Sequence, residues 1–335
     1  MKKSILSAAI LAALFGLSGA ALAGNNATST STGDHNKVTV SQIGNGLTSG
    51  ITQNGTYNEA TDTQTGTNNT ASTTQHGYNN KSTNIQSANG NTAAVNQDGD
   101  SNESHVTQTG SGNLASVSQA GPPVNGNSNY SEIRQTGNSN QAYVTQDDGN
   151  KSWVTQNGSS NLASVNQTGF NGWDNNESTV TQNADGNKAY VVQSGSLNKS
   201  TIAQWNGNTA SVSQTGDNNT SDINQNGFGA GSGSYSNTAY VTQGGNFNNA
   251  HVNQDDGNFA SVTQNGQGTA AHPNEVTISQ YDNNDIAYAT QTGGQGNSIT
   301  IEQDKGRANG NGSDNSANVT QSGAFNTASV YQNLN

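Results

Sequence analysis

Along nearly the whole chain, amide, small and aliphatic side chains return at every second residue. Gln falls at 42, 53, 64, 75, 86, 97, 108 and 119 with a spacing of 11, and recurs in the same setting as far as Gln332, marking 25 units. Each unit reads Asn-x-(Ala/Ser)-x-(Val/Ile)-x-Gln, usually with Gly two residues later. A period of two puts Asn, the small residue, the aliphatic residue and Gln on one face of a β-strand. The intervening Thr, Tyr, Ser and Lys face the other way. Gly with Asn, Asp or Ser then supplies a turn. Pro122, Pro123 and Pro273 all fall in connections, where a missing N–H does no harm to a sheet.

A finer pattern sets the architecture. From Ser82 to Ala239 the small residue alternates without a break between Ser and Ala. Two kinds of strand take turns, so one layer is a strand-turn-strand pair of about 22 residues. The predicted fold is all-β, a two-sheet β-solenoid over residues 36–335, with twelve rungs and one extra strand from the 25 units. Rungs are expected roughly 4.7–4.9 Å apart. The expected core ladder runs through Asn91, Ala93, Val95 and Gln97, then Asn102, Ser104, Val106 and Gln108, then Asn113, Ala115, Val117 and Gln119. It continues through Asn140, Ala142, Val144 and Gln146, and through Asn187, Ala189, Val191 and Gln193.

Such a core is thin, and its amides must be satisfied, because each buried unpartnered group costs about 1–3 kcal/mol. Identical amides stacked rung over rung solve this, as in cross-β zippers. The device works only in register, since a slip of one residue turns every ladder outward. Only Asn333, Leu334 and Asn335 follow Gln332, so the last strand is expected to be bare and able to template another chain.

Several units depart from the pattern. Asp62, Thr73 and Asn84 stand where Val is expected, either as brakes on assembly or as tolerated drift. The connections at 120–128 and 226–236 are expanded. Outward Tyr143, Tyr190, Tyr240 and Tyr288 recur on every second rung, a spacing of roughly 9–10 Å that is too long for direct stacking.

Composition narrows the function. Hydrophobic residues make up 28%, too few for a conventional globular core, so the repeats must supply cohesion. A net charge of −12 argues against nucleic-acid binding. Cysteine is absent, so no disulfide framework holds the chain. Residues 1–23 read as an export signal: Lys2 and Lys3, an apolar run too short to span a bilayer, and a cleavage point between Ala23 and Gly24. No later stretch is apolar enough to enter a membrane. Residues 24–35 form a polar segment before the repeats. The five His residues have no ligand spacing, and the turns at 98–100, 147–150 and 255–258 lack a calcium-loop pattern. No catalytic grouping, metal site or cofactor site is expected.

Tandem Asn-x-Ala-x3-Gln and Ser-x5-Gln units joined by Gly-Asn turns resemble curlin repeats, from about Asn36 to Gln332. The resemblance implies a non-enzymatic structural subunit of extracellular curli-type amyloid fibres, cross-β when assembled, at the surface of a Gram-negative bacterium, serving biofilm scaffolding and adhesion. It also implies self-assembly, a nucleator subunit, an outer-membrane secretion pore and a periplasmic chaperone as partners, with residues 24–35 as the segment that addresses the pore. Familiar members carry far fewer repeats. Two alternatives remain at this point: the minor nucleator of the same fibre, and a soluble ligand- or ice-binding solenoid.

Overall fold

The computed structural model describes residues 24–121, 128–169, 175–226, 236–281, 283–303 and 315–332. The described residues form 26 strands in sequence, from β1 (Asn26–Thr32) to β26 (Thr327–Gln332). Odd-numbered strands build one 13-stranded sheet, here sheet A, and even-numbered strands build the other, sheet B. Every strand pair is parallel and in register. Between β7 (Thr92–Asp100) and β9 (Leu114–Ala120), Ala93 meets Ala115, Val95 meets Val117 and Gln97 meets Gln119. In sheet B, β8 (Glu103–Thr109) and β10 (Tyr130–Thr136) set Ser104 on Ser131 and Gln108 on Gln135. The chain is an all-β two-sheet solenoid, and its core is the plane between the sheets.

The strand count exceeds the sequence reading by one, because β1 lies in the stretch read as a polar lead. β1 pairs with β3 (Thr48–Thr56) over its whole length. Asn25, Ala27, Ser29 and Ser31 there occupy the Asn, small, aliphatic and Gln places of a unit, followed by Gly33. A count keyed on Gln passes over a unit with Ser in the Gln place.

The turns explain the glycines. Gly99 and Gly110, two residues after their Gln, adopt φ +108°. A Cβ on Gly110 would lie 2.0 Å from the carbonyl oxygen of Gly137 in the next rung, so no other residue fits. A second left-handed residue precedes many of the repeat asparagines. Asn68, Asn79 and Ser101 tolerate this, whereas Tyr57, Leu197 and Phe325 adopt it with large exposed side chains.

The proposed cleavage residue Ala23, the rest of residues 1–23, the interiors 122–127 and 227–235 of the two expanded connections, and 333–335 lie outside the described residues. Gly24 is the first residue described. Among the described residues no helix is long and apolar enough to cross a membrane.

Candidate assembly interface

The expected core residues all turn inward. Asn91, Ala93, Gln97, Asn102, Ser104, Val106, Gln108, Asn113, Ala115, Val117 and Gln119 are buried, as is Val95. So are Asn140, Ala142, Val144, Gln146, Asn187, Ala189, Val191 and Gln193. The strands alternate because outward positions carry polar side chains while inward ones carry methyls and amides.

The Gln side chains form two continuous ladders. In sheet B, Gln42 Nε2 donates to Gln64 Oε1 at 2.8 Å, Gln64 to Gln86 at 2.8 Å, and so on to Gln303 and Gln332 at 2.8 Å. Twelve such bonds follow one another, and all point the same way along the stack. Sheet A carries the matching ladder from Gln53 to Gln321, with Ser31 Oγ at 3.5 Å from Gln53 Oε1 in the rung before. The second N–H of each amide crosses to the other sheet. Gln108 Nε2 donates to the Thr92 carbonyl at 3.0 Å, and Gln146 to the Tyr130 carbonyl at 2.9 Å. One side chain therefore joins neighbouring rungs and both sheets, using three of its four hydrogen-bonding capacities.

The Asn ladder runs in the opposite sense. Asn80 Oδ1 accepts from the Asn102 backbone N–H at 3.0 Å, while Asn80 Nδ2 donates to the Gly99 carbonyl at 2.7 Å. The Asn side chain thus holds the turn of the next rung, at the carbonyl whose close approach excludes a Cβ from the preceding glycine. Asp285 stands in an Asn place and its Oδ1 accepts from the Asn315 amide at 3.0 Å. Leu47 also replaces Asn and keeps its backbone bond, donating to Asn25 Oδ1 at 3.0 Å.

The small-residue columns are less complete. Sheet A stacks Ala in every strand but β3, sheet B stacks Ser from Ser82 to Ser221, and the buried hydroxyls of Ser82, Ser104, Ser131, Ser152, Ser178, Ser200 and Ser221 have no hydrogen-bond partner. These hydroxyls detract from stability.

On the outer faces, Phe259 bridges two of the outward Tyr rings that the rung spacing keeps apart. It stands on the rung between Tyr240 and Tyr288 and packs against both, with ring centroids 5.9 and 5.5 Å away. On the sheet B side Tyr130 joins His105 to Trp153 in the same manner. Lys37 and Glu59 pair at 2.6 Å, and Lys81 and Glu103 at 3.1 Å, in one column of alternating sign. Partial burial works to raise the Glu103 carboxyl, but His105 and Lys81 outweigh it and hold it below its ordinary range. Exposed pairs of this kind add little stability. In the Asp-rich segments Asp148 is a turn residue with φ +61°, and Asp100, the last residue of β7, accepts through Oδ1 from the Tyr78 N–H at 3.0 Å. Among the described residues no group of three or more His, Asp or Glu is arranged to hold a metal.

The outermost strands differ from those inside. In β26, Ala328, Val330 and Gln332 are only half-buried, as are Val38, Val40 and Gln42 in β2 (Lys37–Asn45). Among the described residues both rims therefore present inward-type side chains and unpaired strand edges.

A family model of the curlin associated repeat matches residues 66–99, 88–121, 174–204 and 312–334. The chain is a curlin-repeat protein. Curlin repeats on a β-solenoid are those of curli-type amyloid subunits, a structural family. Comparison with curated proteins gives no match. The matched segments include the central ladder residues 91–119, so the curlin unit and the hydrogen-bonded rung are one object.

Proposed function

We propose that this curlin-repeat protein is the main building subunit of extracellular amyloid fibres that scaffold biofilm and adhere to surfaces, and that it grows by joining one copy's last rung to another's first. The observation that carries this reading is the one-way Gln ladder. Its final amide, Gln332 Nε2, retains a donor facing out of the stack, and its first, Gln42 Oε1, is an acceptor facing out of the other end. The Asn positions match in the opposite sense. A second copy would continue sheet B without interruption: Asn326, Ala328, Val330 and Gln332 would meet Asn36, Val38, Val40 and Gln42.

Sheet A would join less well. There Val319 and Gln321 would meet Ser29 and Ser31 of β1. Growth would therefore lean on sheet B, and the two ends are unlike, which gives a heterologous, open-ended contact. Export of the chain is supported by the pattern in residues 1–23, and partners other than a second copy by family resemblance alone.

The test is to dilute the mature chain from denaturant and follow thioflavin fluorescence and electron microscopy. Filaments that lengthen from added seeds are expected. A persistent, monodisperse β-rich monomer would instead favour a soluble solenoid. Complementation of strains lacking either the main or the nucleating subunit separates those two roles.

A further inference from the structure

One rung near the N-terminal end departs from the others in ways that belong together. Asp62, in β4 (Glu59–Thr67), takes the aliphatic place and is wholly buried between the sheets. The small residues of that rung are exchanged: Ser49 is in sheet A and Ala60 in sheet B. Ser49 is the one Ser in the sheet A column, where every other strand carries Ala. The exchange places its hydroxyl against Asp62, donating to Oδ2 at 2.7 Å. Asn84, in β6 (Lys81–Asn89), donates to Asp62 Oδ1 at 2.9 Å and to Thr73 Oγ1, in β5 (Thr70–Tyr78), also at 2.9 Å. Three departures from the repeat thus converge on one carboxyl.

The cluster contains no positive charge. β2 and β6 flank Asp62 in its sheet, and β3 and β5 pack across from it. Their inward side chains are Val, Ile, Ala, Ser, Thr, Asn and Gln. The other charged or titratable residues of these strands and of β4 itself, Lys37, Glu59, His76, Tyr78 and Lys81, all lie outward and are 40–65% exposed. An ionised carboxyl here would be a buried charge with neutral hydrogen-bond donors only, whereas a protonated one fits the core.

We propose that Asp62 is a proton-operated latch: protonation closes rungs β3–β6, and ionisation opens them locally while the stack from β7 onward stays formed. Burial, the largest influence, pushes the Asp62 carboxyl above its ordinary value of 3.8, and hydrogen bonds from Ser49, Asn84 and Thr73 oppose this without cancelling it. With the folded value above the unfolded one, the stabilisation is fully present below the ordinary value and is lost as pH rises through the folded value. In that window closing takes up one proton, so the closing equilibrium falls up to about tenfold per pH unit. The latch concerns the folded chain and does not depend on fibre formation.

Hydrogen exchange of the full mature chain, read by peptide and corrected for intrinsic rates, tests it between about pH 4 and about pH 7. Protection over residues 48–89 is expected to fall with rising pH, up to about tenfold per unit, while residues 141–204 stay level. Asp62→Asn should abolish the dependence, and Asp62→Val should protect the segment throughout. Dependence that survives in Asp62→Asn, level protection in the unsubstituted chain, or a response to sodium or potassium in place of protons overturns the latch. Should Asp62→Asn fail to fold, the carboxyl carbon shift of Asp62 followed through pH in the unsubstituted protein decides: a midpoint above the ordinary value supports the latch, and one at or below it contradicts it.

Discussion

The rungs β3–β6 and the rungs from β8 to β18 (Thr220–Gln225) share one backbone and one Gln ladder, yet they fill the aliphatic place of sheet B in opposite ways. In the central stretch that place holds Val106, Ile133, Val154, Val180, Ile202 and Ile223, all buried. Near the N-terminal end it holds Asp62 and Asn84, in register with Val106. The ladder spacing is the same in both stretches, 2.8 Å from Gln64 to Gln86 and 2.8 Å from Gln135 to Gln156. The amide ladders and turn glycines therefore specify the rung, and the aliphatic residues set how firmly it is held, each buried Val being worth roughly 1.5–3 kcal/mol.

The difference can be broken most severely by moving the polar residue. Val154→Asp puts a carboxyl in β12 (Lys151–Asn157), where the small places of the neighbouring sheet A strands hold Ala142 and Ala163 and so offer no hydroxyl. It should cost about 3–5 kcal/mol, seen as a lowered denaturation midpoint. Gln146→Ala comes next. It strips the Tyr130 carbonyl and both neighbouring Gln side chains of a partner, for about 3 kcal/mol or more in the same measurement.

Asp62→Val together with Asn84→Val runs the other way. Replacing the buried polar pair by aliphatic residues should stabilise the N-terminal rungs by about 1–4 kcal/mol. In thioflavin kinetics the lag should shorten, and an unchanged lag would show that these rungs do not restrain assembly. The smallest effect is also the sharpest. Ser49→Ala should destabilise by about 1–3 kcal/mol because Asp62 loses its donor, whereas Ser152→Ala should be neutral or stabilising because that hydroxyl has no partner. Equal effects in the two variants would erase the distinction between the regions.

Much of this was legible because the repeat is long. The period of two, the Ser/Ala alternation and the 11-residue spacing lead directly to two parallel sheets with like residues stacked. β1 was missed because Ser29 and Ser31 conceal a unit that Asn25, Ala27 and Gly33 still mark. The crossing bonds, such as Gln108 to the Thr92 carbonyl, depend on how close the sheets lie, which no spacing along one strand reveals. Asp62, Thr73 and Asn84 were visible as departures, but their convergence with Ser49 appears only when four strands are folded together. Phe259 shows the same limit on the surface, since its contacts between rungs run diagonally, whereas the repeat spacing fixes only the columns.

The central claim is that strands lie across the direction of growth and continue from one copy into the next. X-ray diffraction from aligned fibres tests it most directly. Strands stacked along the direction of growth should give a sharp reflection at roughly 4.7–4.9 Å along the fibre axis. Aligned fibres that place this reflection at right angles to the axis, or lack it, would contradict the account.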